Sequence, residues 1–148
     1  MDNNKKIYIA GSGGMLGEAF YSIFQDDYEL KCTDIDVNES WLSYLDFTDR
    51  DQYIKDVEGF NPDYLFHRGA FTDLEYCEEN QDETYITNTL SVENAAYTAN
   101  KFNISLLDSS TAGILDRQKD TYDDRDIPNR VGHNARRNNA RARDVDRK

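Results

Sequence analysis

A doubly wound α/β fold, a parallel sheet with helices on both faces, is what this 148-residue sequence predicts. Three observations carry the prediction. Short apolar, β-branched runs alternate with segments whose apolar residues recur at helical spacing, in the order strand, helix, strand, helix, strand, helix, strand. A glycine cluster stands where the first strand turns into the first helix. An acidic residue closes the second strand. Strands joined through helices need right-handed crossovers, and the sheet they build is parallel and covered on both faces.

The first strand is "KIYIAG", a buried run ending in glycine. "GMLGEAFYSIFQDD" follows with Leu16, Ala19, Phe20, Ile23 and Phe24 at helical spacing, an amphipathic helix. "YELKCTD" is the second strand, ending at Asp34, with Cys32 as a buried strand residue. "TDRDQYIKDVEGFNP" reads as a helix capped by Thr48 or Asp49, with Tyr53, Ile54 and Val57 on one face and Gly59 and Pro62 as its stop. "DYLFH" is the third strand. "NQDETYITNTLSVENAAYTANKFN" is a long helix whose buried face takes Tyr85, Ile86, Leu90, Val92, Ala95, Ala96 and Ala99, and "ISLLDSS" is the next strand. After Ser110 the pattern fades into a charged, turn-rich loop.

In "AGSGGMLG", Gly11, Gly14 and Gly17 form G-x-x-G-x-x-G. The first glycine permits a tight turn, the second lets the backbone approach a pyrophosphate, and the third lets helix pack on strand. The helix N-terminus adds free N–H groups and the positive end of its dipole. With Met15 and Leu16, which open the helix, these glycines are the expected dinucleotide phosphate site of a Rossmann-type domain. Asp34 is expected to accept hydrogen bonds from an adenosine ribose, with Asp36 as its rival. A carboxylate there repels a 2′-phosphate and no Arg lies beside it, so NAD(H) is favoured, with NADP(H) as the alternative. Asp46 and Phe47 either flank an adenine ring or serve as a helix N-terminal acid and a core aromatic; the residues alone leave both readings open.

Charge narrows the partners. Residues 1–127 carry 10 basic and 27 acidic side chains, a formal −17, whereas residues 128–148 carry 7 and 2, a formal +5. The acidic body argues against nucleic acid, and the short basic end has no aromatic side chain to stack on a base. No run is long enough to span a membrane. The two cysteines have no metal-ligand spacing, and no metal is expected. Sparse cysteine and the absence of a signal peptide suggest a reducing cytoplasm.

The glycine loop, the acid ending strand two, "LDFTD", "PDYLFHRGAFTDLEYCEEN", "NTLSVENAAYTAN" and "LLDSSTAGILDRQKDTYDDRDIPN" stand in the order of the extended short-chain dehydrogenase/reductases. The sequence most resembles the dTDP-4-dehydrorhamnose reductases and their sugar-nucleotide-binding kin, over roughly residues 5 to 133. The resemblance implies hydride transfer from a reduced nicotinamide to a keto-sugar nucleotide. His67, Gly69 and Ala70 match a His-x-Ala-Ala loop running under the cofactor; Arg68 is an unusual residue at that strand end. Thr72 matches the Thr after the loop, Asn88 an Asn that orders the site and is counted with the cofactor-binding residues, and Glu75 and Glu78 read better as a solvated helix face than as catalytic acids. Thr111, then Ser110, match the hydroxyl that hydrogen-bonds the substrate carbonyl. Tyr122 and Pro128 match a structural loop motif, and His133 reads as a loop histidine.

The family's proton donor is a Tyr on a helix with a Lys four residues on, whose charge lowers a phenol pKa of about 10. Here Asn134 stands in the Tyr position and Asn138 in the Lys position, and Arg136 and Arg137 lie on other faces. Tyr122 is no substitute, since position 126 is Asp. The expected organisation is therefore an NAD(P)-binding domain over residues 1–127 and a degenerate remnant of the catalytic helix region over 128–148, with the family's substrate-binding portion absent. Three functions compete: the cofactor domain of a nucleotide-sugar reductase, inactive as written; a non-catalytic dinucleotide-binding regulatory protein; and a fragment without activity. A homodimer is allowed by analogy with the family.

Overall fold

The structure is a computed structural model that describes residues 5–109 together with 121, 123 and 125. Five parallel strands, β1 (Lys6–Ala10), β2 (Glu29–Asp34), β3 (Leu42–Tyr44), β4 (Tyr64–His67) and β5 (Ser105–Asp108), lie in the order β3-β2-β1-β4-β5. The helices are α1 (Met15–Phe24), α2 (Arg50–Phe60), α3 (Leu74–Glu79), α4 (Gln81–Tyr85) and α5 (Ser91–Phe102). From β1 the chain moves through α1 to β2 and β3, then returns through α2 to β4 on the other side of β1. The strand order reverses between β1 and β4, so a crevice opens at their carboxyl ends.

Alternation along β1 divides the core. Tyr8 and Ala10 join Leu45, Phe47, Tyr53, Val57, Leu65, Ala95 and Ala99 under α2 and α5. Ile7 and Ile9 join Cys32 and Leu42 on the opposite face, beneath Phe20 and Phe24 of α1. Tyr8 is fully buried, and its hydroxyl donates to Asp56 Oδ2 at 2.5 Å while Lys31 Nζ meets Oδ1 at 2.7 Å. Burial, reinforced by the Asp56 hydrogen bond, pushes the phenol pKa far above its ordinary value.

Several boundaries differ from expectation for local reasons. Asp49 caps α2, its side chain accepting from Gln52 N at 3.1 Å. Gly59 lies inside α2, which ends instead at Asn61 with φ 53°, a left-handed residue that asparagine tolerates. Strand β3 escaped the pattern because it is three residues long; Leu42 alone anchors it in the core. Helix α3 begins where Asp73 accepts from Tyr76 N at 3.0 Å, and its Glu75 and Glu78 face solvent.

Two apolar stripes are narrower than their spacing suggests. On α1, Leu16 and Ile23 are exposed, and Ala19 with them; the helix seats on the sheet through Phe20 and Phe24, which stack at 5.8 Å, and through Gly17. The expected long helix is continuous over residues 81–102 but contains a π-helical turn at Ile86–Leu90, where Ser91 N donates to the carbonyl of Ile86. Val92, Ala95, Ala96 and Ala99 beyond the turn are buried as expected, whereas Tyr85 just before it and Ile86 at its start are exposed.

Both Cys32 and Cys77 are free thiols and buried. Burial pushes the Cys32 thiol from its ordinary 9.0 up to about 11. A raised acid favours the protonated fold, so this contribution is intact below pH 9 and is lost as pH rises towards 11. A thiol-reactive dye at pH 8 is therefore expected to label Cys32 only when the chain is unfolded; rapid labelling of native Cys32 would contradict this packing. Among the described residues no helix is long and apolar enough to cross a membrane.

Candidate functional site: a cavity at the carboxyl ends of β1 and β4

The turn after β1 is built around backbone contacts that exclude side chains. Gly11 adopts φ 78°, and both its N–H and that of Ser12 donate to Thr33 O, at 2.9 and 3.0 Å. A Cβ on Gly11 would lie 2.3 Å from the backbone N of Gly69, and one on Gly17 2.1 Å from the carbonyl of Ser12. Gly14 differs: it is the N-cap of α1, offers no side-chain cap, and a Cβ there would meet nothing within 4 Å. The first turn of α1 thus presents N–H groups not capped by any side chain of Gly14 to an open cavity.

That cavity has a volume of about 690 Å³, within the range that holds small-molecule cofactors. Gly11, Gly14, Met15, Leu16 and Gly17 line one side; Asp34, Asp46 and Phe47 line another; Gly69 and Ala70 line the floor. Asp34 Oδ2 accepts from Gly13 N at 2.8 Å and Oδ1 from Asp36 N at 3.1 Å, so the carboxylate is held by the turn it faces. Each oxygen keeps a second lone pair for a ligand. Asp34 lines the cavity and Asp36 does not.

Asp46 and Phe47 combine the two readings that the sequence left open. Asp46 Oδ1 accepts from Thr48 N at 2.9 Å and Thr48 Oγ1 at 2.6 Å, a turn leading into α2, yet the residue also lines the cavity. Phe47 is a core residue, 8% exposed, whose ring meets His67 edge-on at 5.2 Å. Gly69 lies against that ring; a Cβ there would sit 2.3 Å from it. Asn94 of α5 holds the segment from below, donating to Phe47 O and Thr48 O at 3.2 and 3.0 Å.

Asn88 has a different position from the other cofactor residues. Its side chain is fully buried and does not line the cavity. Its Oδ1 accepts from Phe71 N at 2.7 Å and its Nδ2 donates to Phe71 O at 3.0 Å. It therefore clamps the loop that forms the cavity floor, an ordering role, and both of these amide atoms are engaged with backbone. His67 is likewise buried beneath the floor, with Tyr53 Oη at 3.0 Å from Nδ1 and Ser91 Oγ at 3.0 Å from Nε2. Ser91 donates its proton to Thr87 O at 2.5 Å. Ser91 Oγ then accepts from Nε2–H, and the Tyr53 phenol closes the other side of the ring at Nδ1.

Sequence reading missed Gly13's hydrogen bond to Asp34 and part of the lining: Ile35 beyond Asp34, and Glu83, Ile86 and Thr87 around the π turn. The doubled glycine at 13–14 was the available signal for the first. A helix read as uniform gave no signal for the last three. Ser110, Thr111, Tyr122, Pro128, His133, Asn134 and Asn138 lie outside the described residues.

Comparison with known proteins fits this architecture. The family model described as RmlD substrate binding domain matches residues 5–139. A dTDP-4-dehydrorhamnose reductase of Aggregatibacter actinomycetemcomitans is 26% identical over 123 residues, 82% of this chain and 40% of that protein. The crystal structure of dTDP-4-dehydrorhamnose reductase from Bacillus anthracis in complex with NADP superposes with a TM-score of 0.89 at 20% identity, covering 99% of this chain and 51% of the other. The Bordetella bronchiseptica enzyme WbmG in complex with NAD and UDP gives 0.85 at 19% identity, covering 99% and 50%. The chain spans about half the length, or less, of the relatives it matches.

Proposed function

The chain belongs to the RmlD substrate binding domain family, and we propose that it is the dinucleotide-binding half of a nucleotide-sugar reductase resembling dTDP-4-dehydrorhamnose reductase. The observation that carries the proposal is Gly14. The chain itself leaves room for a side chain there, so its packing gives no reason for glycine. A pyrophosphate approaching the first turn of α1 does. The lining fits the rest of such a ligand: Met15 and Leu16 beside the phosphates, Asp34 for the adenosine ribose, Asp46 and Phe47 at the adenine end, Gly69 and Ala70 beneath the nicotinamide half. Asn88 positions that floor through Phe71. NAD(H) is favoured because the Asp34 carboxylate would repel a 2′-phosphate; the relatives include proteins crystallised with either cofactor.

A reduced nicotinamide supplies hydride when bound. What this chain's residues supply is binding and orientation, with Thr111 and then Ser110 as the hydroxyls that hydrogen-bond a keto-sugar carbonyl. Asn134 has no ionisable proton in the Tyr position and Asn138 no positive charge in the Lys position, so we propose no turnover for the chain as written, with residues 1–127 as the cofactor domain and 128–148 as the remnant of the catalytic helix. The same two asparagines favour a second reading, a non-catalytic subunit that holds NAD(H) and regulates a partner. Its setting in either reading is the cytoplasm, in keeping with two free thiols; a nucleotide sugar is the partner of the intact family member, and the family allows a homodimer.

The test is titration with NADH and NADPH, followed by nicotinamide fluorescence and thermal shift. Saturable NADH binding is expected, lost in Gly14→Val and weakened about tenfold in Asp34→Ala, a change of about 1.4 kcal/mol. Absence of binding to either dinucleotide by a cooperatively folded chain would overturn the proposal.

A further inference from the structure

We infer that Gly13 is a positioning residue for Asp34: the absence of a side chain at 13 fixes the carboxylate that tells a 2′-hydroxyl from a 2′-phosphate. The inference rests on the dinucleotide reading above and deepens its choice of cofactor.

The glycines around the cavity have different neighbours. A Cβ on Gly11 or Gly17 would meet backbone, one on Gly69 the Phe47 ring, and one on Gly14 nothing within 4 Å. On Gly13 the three nearest atoms all belong to the Asp34 carboxyl group: Cγ at 2.9 Å, Oδ2 at 3.0 Å and Oδ1 at 3.2 Å. Gly13 has no positive φ, so its backbone conformation does not call for glycine. The side chain of Asp34 does.

That carboxylate cannot yield freely. Its Oδ2 accepts from Gly13 N at 2.8 Å and its Oδ1 from Asp36 N at 3.1 Å. One backbone donor on each oxygen fixes the plane of the group as well as its position. Asp34 lines the cavity, so the plane is set before a ligand arrives, and no binding energy goes into ordering it. A vicinal diol donates to such a carboxylate, whereas a 2′-phosphate meets a like charge that does not swing away. A Cβ at 13 would turn the carboxylate out of this pose and stretch the bond from Gly13 N. Attraction of the diol and repulsion of the phosphate would then fall together.

Titration of the unmutated chain, Gly13→Ala, Asp34→Ala and the double variant with NADH and NADPH, at matched ionic strength, tests the assignment. Gly13→Ala is expected to weaken NADH by about three- to tenfold and to leave NADPH within about twofold, so that the preference for NADH narrows. In the Asp34→Ala background the same substitution should change neither affinity by more than about twofold. Equal loss of both cofactors, loss of NADH that persists without Asp34, or unchanged NADH affinity in Gly13→Ala would each overturn the inference and leave the dinucleotide reading standing. Failure of the unmutated chain to bind either cofactor would remove both. Should Gly13→Ala not fold, amide hydrogen exchange decides. The Gly13 N–H is expected to exchange about tenfold faster in Asp34→Ala than in the unmutated chain, while the Ser12 N–H, bonded to Thr33 O, keeps its rate. Equal rates for Gly13 would refute the contact and the positioning with it.

Discussion

Gly11→Ala is expected to cost about 3–5 kcal/mol, a large part of the 5–15 kcal/mol that holds a domain of this size together. Two effects add. The residue sits at φ 78°, where a Cβ is strained, and that Cβ would stand 2.3 Å from the backbone N of Gly69. Backbone cannot swing aside as a side-chain tip can, so β1 and β4 would have to part at the point where the crevice forms. Gly14→Ala, three residues on, has no such contact and should change stability by no more than about 0.5 kcal/mol. Urea unfolding of the two variants side by side checks the contrast. A midpoint for Gly11→Ala equal to that of the unmutated chain would mean that the turn is not built as described.

Asn88→Leu is expected to destabilise by about 2–4 kcal/mol, and to loosen the cavity floor at the same time. The substitution is close in size, so packing loss is small; the cost comes from leaving the N–H and C=O of Phe71 without the two hydrogen bonds that Asn88 supplies. Asn88→Asp keeps an acceptor for Phe71 N but sets a carboxylate oxygen against Phe71 O, and should be no better tolerated. Urea unfolding together with NADH titration separates the two consequences. If Asn88→Leu were as stable as the unmutated chain and bound NADH equally, the clamp would have no role in either.

What the sequence disclosed, and what it hid, divides along the range of the interactions. Gly11, Gly14, Gly17 and Asp34 were legible because their reasons are local: a turn, a helix start, a strand end. Asp46 and Phe47 were ambiguous because they satisfy two demands at once, an Asx turn or core packing on one side and a cavity wall on the other. Asn88 was expected to order the site and was counted with the cofactor-binding residues, but what it holds was not legible. Its actual partner is Phe71, seventeen residues away in sequence, and a contact across two elements leaves no mark in local spacing. The stop of α2 at Asn61 was hidden for a different reason: glycine is the better left-handed residue, but Gly59 stands too early to be used.

The π turn at Ile86–Leu90 has a consequence for how this helix tolerates change. An α-helix advances about 100° per residue, so along one uniform helix every inward side chain is tied to every other by a fixed phase. The wider turn resets that phase. Beyond it, Val92, Ala95 and Ala99 keep register with the sheet; within and before it, Asn88, Thr87, Ile86 and Glu83 keep register with the floor and wall of the cavity. Loss of a single residue there would restore regular winding and carry one set out of alignment with its targets. Substitutions on the cavity side, by contrast, leave the phase of the core side untouched. The helix is in effect two rulers joined by a vernier, and the ligand end can be re-graduated without recalibrating the fold.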